Sequence, residues 1–509
     1  MLPLLLSASL LMAGACTSAK DNPDDSGTAG GDSGLTTDGG SIDGGSADGG
    51  SPDGGTTDGG APDGGAPDGG APDGGAPDGG AGDGGSTVEL AADFALAENE
   101  QVSTILQATW TMLEPADAVW LSFDVDGDVL TTPPRALEVG AASEALLGIP
   151  AETDVTVTLH VQQGDSVYDI DFGTGTSGAL PDDLDLPDVT IWDPLHADPS
   201  PYALVSVNVG SYDFYGPCYT VIMDRQGNIV WYTKTSGSRL TLFPRVSRDG
   251  THVTYDATVY YVRDDPSITR LTLDRRLEDE IMIPDFGFTY DELDDGSFVF
   301  DAGETAYDYF LDRLYPDGTR ERLWDCNAWM DAYTTQYWAC AVNTVLWSPE
   351  RNTILWSMFE TSTVAEIDVE TGERLRYFGQ TPDGWEIVPE SSMLELQHYP
   401  NWTPDGHIIT TTHLTSGPAR QVIREFALDD TAETVTEVWS YTPDAGYYGS
   451  YSGDVERLES GNTMIGYGTA GVIQEITADS DVAWEVEWGG HLTGHLTLID
   501  DLYTLNEGW

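Results

Sequence analysis

A chain of 509 residues with 20 basic against 87 acidic side chains carries a formal net charge of −67. Such a surface repels phosphate, which argues against nucleic acid and anionic lipid headgroups as partners. The acidic excess runs the whole length of the chain and reads as solvating charge rather than a built cation site. The length allows two or three domains. Of four cysteines, Cys326 and Cys340 lie close enough in sequence to close a loop as a disulfide in an exported chain, which leaves Cys218 as a buried small residue and Cys16 in the leader.

Residues 1–16 form that leader. Leu4-Leu5-Leu6 and Leu10-Leu11-Met12 are apolar, and Ala13-Gly14-Ala15 supplies small residues before Cys16. The stretch is too short to span a bilayer and ends like a cleavage site. A cysteine directly after small residues resembles the lipobox of bacterial lipoproteins. The resemblance implies lipidation at Cys16 and a cell-envelope location, with Thr17 leaving outer-membrane sorting open; plain secretion is the alternative. Two features depart from the pattern: no Lys or Arg precedes the apolar run, and Ala13 stands where Leu is usual. Residues 17–86 repeat Ala-Pro-Asp-Gly-Gly, as in Ala61-Pro62-Asp63-Gly64-Gly65, and contain nothing to bury, so they read as a disordered linker.

Residues 87–176 show strand patterns at 88–94, 102–112, 118–125, 136–139, 143–147, 155–162 and 167–172, the spacing of a small β-sandwich. Ala108-Thr109-Trp110-Thr111 and Ile149-Pro150-Ala151-Glu152-Thr153 resemble fibronectin type III domains. Asp124-Val125-Asp126-Gly127-Asp128 reads as a hairpin turn rather than a cation loop. Residues 177–195 are a Pro- and Asp-rich connector. From 196 to 509 a turn signal recurs about every 46 to 56 residues: Asp249-Gly250, Asp294-Asp295-Gly296, Glu350-Arg351-Asn352, Pro404-Asp405-Gly406 and Ser460-Gly461-Asn462. Short strands between such turns, with the first strands near Tyr202 to Trp231, predict a six-bladed β-propeller over residues 196–509. The fold class is therefore all-β: a linker, a sandwich and a propeller.

Three segments resemble the bacterial arylsulfate sulfotransferase family: Asp224-Arg225-Gln226-Gly227-Asn228-Ile229-Val230-Trp231, Gln397-His398 with Pro404-Asp405-Gly406, and Arg457-Leu458-Glu459-Ser460-Gly461-Asn462-Thr463-Met464-Ile465. The resemblance implies transfer of a sulfuryl group between phenols without a nucleotide donor or other cofactor. It identifies His398 as the nucleophile that carries the group, with aryl sulfates and phenol acceptors as the small-molecule partners. A neutral imidazole suits that role near pH 7. Gln397, Asn343 and Ser357 are the matching substrate-side positions; His413 stands where the resemblance places an Asp-Asn pair, and is expected to enter the channel and partner His398. Elsewhere the pattern is broken. The family's His-x-Asn reads Ala341-Val342-Asn343, its Ser-x-Arg sulfate clamp reads Ser357-Met358-Phe359, and Phe286-Gly287-Phe288 stands where a further histidine is expected.

Those losses leave a rival reading, a catalytically inactive cell-surface propeller that binds a ligand or protein through aromatics such as Phe359, Tyr399 and Trp402. A quinoprotein-like oxidoreductase is disfavoured by the absence of a cofactor motif. His491 and His495, four residues apart near the C-terminus, have no third ligand at fixed spacing and assign no metal site. His407, after the turn glycine, is expected to face solvent.

Overall fold

The computed structural model describes residues 89–508, apart from 211–215, 236–238, 260–261, 306, 337 and 416–417. The leader with Cys16 and the repeat of residues 17–86 lie outside them. The described residues fall in one compact unit whose regular elements are strands, apart from one short helix, Cys326–Met330, and a few single-turn 3-10 segments.

The first part is two facing sheets. Ala91–Glu98, Leu106–Met112 and Gly140–Leu146 make one; Asp128–Thr131, Ala116–Val125, Asp154–Gln163 and Ser166–Thr176 make the other, with Arg135–Leu137 also paired to Ala116–Val125. Burial alternates along Leu106–Met112 and Asp154–Gln163, because one face of each sheet meets the other sheet and one meets water. Trp110, Leu121, Phe123, Val157 and Phe172 fill the space between. Residues flanking these strands pack on the C-terminal sheets: Ile105 and Leu147 share a cluster with Trp231 and Tyr503, and Thr104 Oγ1 donates to the Val230 carbonyl at 2.8 Å.

The second part contains six sheets of four or five strands, antiparallel except where the edge strand Glu386–Val388 pairs in parallel with Thr434–Tyr441. Five begin with consecutive strands, whose first members are Arg245–Val246, Phe286–Glu292, Val342–Ser348, His398–Trp402 and Asp454–Arg457. The remaining sheet joins Tyr202–Asn208, Cys218–Asp224 and Ile229–Lys234 to Leu492–Ile499 from the far end of the chain, in the register Tyr202 opposite Ile499. Asp188–Trp192, inside the connector, adds a fifth strand to the sheet that starts at Asp454.

Strands such as Val342–Ser348 and Ile408–Leu414 are buried at every position, since each sheet is covered on both faces by its neighbours. The six innermost strands form a closed circuit. Phe286–Glu292 touches Val342–Ser348, which touches His398–Trp402, then Asp454–Arg457, Leu492–Ile499 and Arg245–Val246 in turn; Val253–Val259, beside Arg245–Val246, returns to Phe286–Glu292.

Local chemistry explains the turns and the seams. Gly406 and Gly461 occupy the same turn position with φ of +75° and +89°, a region costly for side-chain-bearing residues. Their N–H groups donate to Thr403 and Leu458 carbonyls at 2.8 and 2.9 Å. Outer tryptophans bridge sheets: Trp231 Nε1 donates to Leu273 O at 2.8 Å and Trp484 Nε1 to Arg225 O at 2.9 Å. Arg225 lies over the Trp484 ring at 4.1 Å and pairs with the buried carboxylate of Glu475. A disulfide joins Cys326 to Cys340 beside the sheet that starts at Val342, and Cys218 is buried and free.

Candidate functional site

His398 opens the innermost strand of its sheet, and the backbone around it is unusual. Leu396 and Tyr399 have φ of +47° and +50°, strained values for bulky residues that persist only where the surroundings hold them. The surroundings do so through many bonds. Leu396 N donates to Ser362 Oγ at 3.0 Å, Asn343 Nδ2 to Gln397 O at 2.7 Å, and Tyr399 N to Thr344 Oγ1 at 3.1 Å. The pairing with Ile408–Leu414 shifts register between His398 and Asn401, so simple strand alternation fails there.

That bulge divides the predicted residues. Gln397 is fully buried and turns into the neighbouring sheet, where its Nε2 donates to Ser357 Oγ at 3.1 Å, Met358 O at 3.0 Å and Thr363 O at 3.2 Å. Ser357 is likewise at 0% exposure. These two fix the wall behind the histidine. Asn343 is buried and spends its amide on the Gln397 carbonyl.

His398 itself is half-buried. Its Nδ1 lies 3.0 Å from the Leu396 carbonyl. A carbonyl only accepts, so Nδ1 carries the proton and Nε2 keeps its lone pair. Burial pushes the imidazole down to about 4, opposed by that carbonyl bond, so the ring is neutral at pH 7. The His413 ring lies 4.6 Å away between centroids. Its Nδ1 donates to Gly449 O at 2.7 Å, and burial, then the nearby His398, hold it well below the usual histidine range. On the other side Phe359 stacks at 6.2 Å and 27°. Phe359 holds the position of the expected clamp arginine, so an apolar ring sits where a guanidinium is anticipated.

Residues 203–494 match the arylsulfotransferase (ASST) family. The chain belongs to the arylsulfotransferase family. No curated protein matches the chain. Among solved structures it is similar to a protein of unknown function from Bacteroides caccae (12% identity, 56% of this chain and 93% of that one, TM-score 0.38). It is also similar to virginiamycin B lyase from Staphylococcus aureus (13%, 58% and 100%, 0.36) and to Kuenenia stuttgartiensis hydrazine synthase (14%, 52% and 75%, 0.36). Family membership of this arylsulfotransferase-type chain thus rests on sequence.

A second set joins Tyr399 and His495, each singled out in sequence for other reasons, to Asp454 and Arg245, which sequence reasoning passes over. His495, 6% exposed, points Nδ1 at Asp454 Oδ2 (2.9 Å), and its Nε2 lies 3.2 Å from the Tyr399 hydroxyl. Arg245 Nη1 donates to the same hydroxyl at 3.3 Å. The helical spacing of His491 and His495 misleads, because the segment is extended. His491 precedes the closing strand and meets Gly210 N and Asp185, away from His495's partners. The signal in the sequence is Gly453-Asp454 opening one inner strand and Gly494-His495 inside another. His407 also differs from expectation: it is half-buried and bonds Glu425 at 2.8 Å, which gives the ring a carboxylate partner instead of open water.

Proposed function

We propose that this family member moves a sulfuryl group between phenols through Nε2 of His398. The carrying observation is the Nδ1–H bond to the Leu396 carbonyl in a half-buried ring that burial keeps neutral. The Nε2 lone pair attacks sulfur of an aryl sulfate, the S–O bond to the ring breaks, and the phenolate departs with the electron pair. The sulfated imidazole keeps its Nδ1 proton on Leu396 O. An acceptor phenolate then attacks sulfur, the N–S bond breaks, and neutral His398 returns. His413, Asn343, Gln397 and Ser357 serve the site by shaping the pocket wall and holding the strained segment.

This reading takes the six sheets as blades of a six-bladed propeller, supported by the closed circuit of innermost strands, and the first layer as a fibronectin type III-like sandwich. It also takes the chain as a cell-envelope protein, lipid-anchored through Cys16 at the outer membrane or secreted. One observation favours the inactive, binding-only alternative: Phe359 rather than a cation flanks His398. Incubation with 4-nitrophenyl sulfate and phenol decides between them. Release of nitrophenolate, loss of it in His398→Ala, and a sulfated His398 peptide by mass spectrometry are expected; no release by the intact protein leaves only the binding reading.

A further inference from the structure

The innermost strands have two ends, and His398 and Asn343 lie at their beginnings. At their C-terminal ends a cleft of about 320 Å3 opens among Arg245, Tyr399, His495, Asn401 and Glu456, a size at the small end for ligand sites. Two observations show what it lacks. Arg245 is 8% exposed, yet its Nε and Nη2 have no hydrogen-bond partner; Nε1 of the lining residues Trp347 and Trp402 has none either. Buried N–H groups without acceptors are rare and costly, so an acceptor from outside the chain suits them.

Neither sign of charge fits. An anion would face Asp291, Glu292, Glu350 and Glu456. A cation would face the Arg245 and Arg248 guanidiniums and offer the N–H groups nothing. A neutral ring with several hydroxyls answers both sets, because each hydroxyl donates to a carboxylate and accepts from an N–H. The polar lining is also fixed in advance. Asp454 accepts from His495 Nδ1, the Tyr399 hydroxyl donates to His495 Nε2, and Arg245 then donates to the Tyr399 oxygen. We infer that this cleft binds an uncharged sugar ring, at the end of the central strands away from His398. The inference stands apart from sulfuryl transfer and holds or fails without it.

The test uses the purified full chain, with binding read by calorimetry and tryptophan fluorescence. Cellobiose, maltose and N-acetylglucosamine are the sugar probes; sodium sulfate and choline chloride are the anion and cation probes. At least one sugar is expected to bind saturably. Asn401→Ala and Glu456→Ala, measured well below their own melting temperatures, should each weaken it about tenfold, while His398→Ala leaves the sugar Kd unchanged. Arg245→Lys, which keeps charge but loses the planar donors, gives a further reading should either alanine variant melt early, and it too should weaken binding. Silence of every sugar, binding of sulfate or choline alone, or a sugar affinity that falls with His398 and not with Asn401, Glu456 or Arg245 overturns the inference.

Discussion

Replacing Phe359 by arginine should create the missing anion clamp. The Phe359 ring centre lies 6.2 Å from that of His398, and a unit charge at that distance attracts a singly charged sulfate ester by about 2.7 kcal/mol at an effective dielectric of 20. Solvent at this half-buried position screens part of it, so roughly a 10- to 100-fold gain in kcat/KM for 4-nitrophenyl sulfate is expected. The intact protein sets an apolar ring rather than a guanidinium beside His398, so its rate should fall steeply as the leaving phenol becomes less acidic, and the variant should flatten that dependence. Nitrophenolate release followed by absorbance, with phenol as acceptor, measures both. An unchanged rate in a Phe359→Arg protein of unaltered melting temperature would falsify the placement of the sulfate beside His398, and so would a gain that survives His398→Ala.

The acid limb of kcat/KM should fall near pH 4 rather than 6.5, because burial holds His398 down to about 4; a limb near 6.5 would mean that a different group carries the chemistry. Stability should respond to the same shift. His398 and the buried His252, also lowered to about 4 by burial, each contribute roughly 3 kcal/mol that is complete above pH 6.5 and lost as pH falls towards 4. Glu292 and Glu456, raised by burial to about 7, act oppositely: their contribution is present below about pH 4.5 and disappears as pH rises through 7. Urea midpoints across pH 4–8 for His252→Asn against the intact chain isolate the histidine part, and a constant difference would refute it. Arg225→Ala leaves the buried Glu475 without its countercharge, held only by Asn462 and the Asp198 N–H, and should cost roughly 3 kcal/mol; a denaturant midpoint shift worth less than about 1 kcal/mol would show the pair to be solvated. Reducing Cys326–Cys340, whose sequence separation is 14, should cost about 3 kcal/mol and lower Tm by a few degrees, read by calorimetry with and without reductant.

The sheet-forming runs are legible because their burial is simple. Ile408–Leu414 is covered on both faces and opens with five β-branched residues in a row, Ile408 to Thr412, and the recurring Gly and Asn turns mark where the chain reverses. His398 is legible through Gln397-His398 and the Pro404-Asp405-Gly406 turn after it. What its neighbours do is not, because the register shift between His398 and Asn401 resets which residues face inward. Gln397 and Ser357 therefore read as substrate contacts in sequence, while the structure has them bond each other inside the wall. The Asp454–His495–Tyr399–Arg245 chain draws one residue from each of four separate sheets, and no spacing in a linear pattern encodes such a meeting.

The innermost strand of the first sheet, Leu492–Ile499, is the last strand of the described residues and follows its partner strand Tyr202–Asn208 by almost the whole propeller-like part. Until it emerges, that sheet exposes an open inner edge and the circuit has a gap, so the ring cannot lock during synthesis. Under the proposed cell-envelope location, that delay keeps the chain threadable until Leu492–Ile499 has crossed.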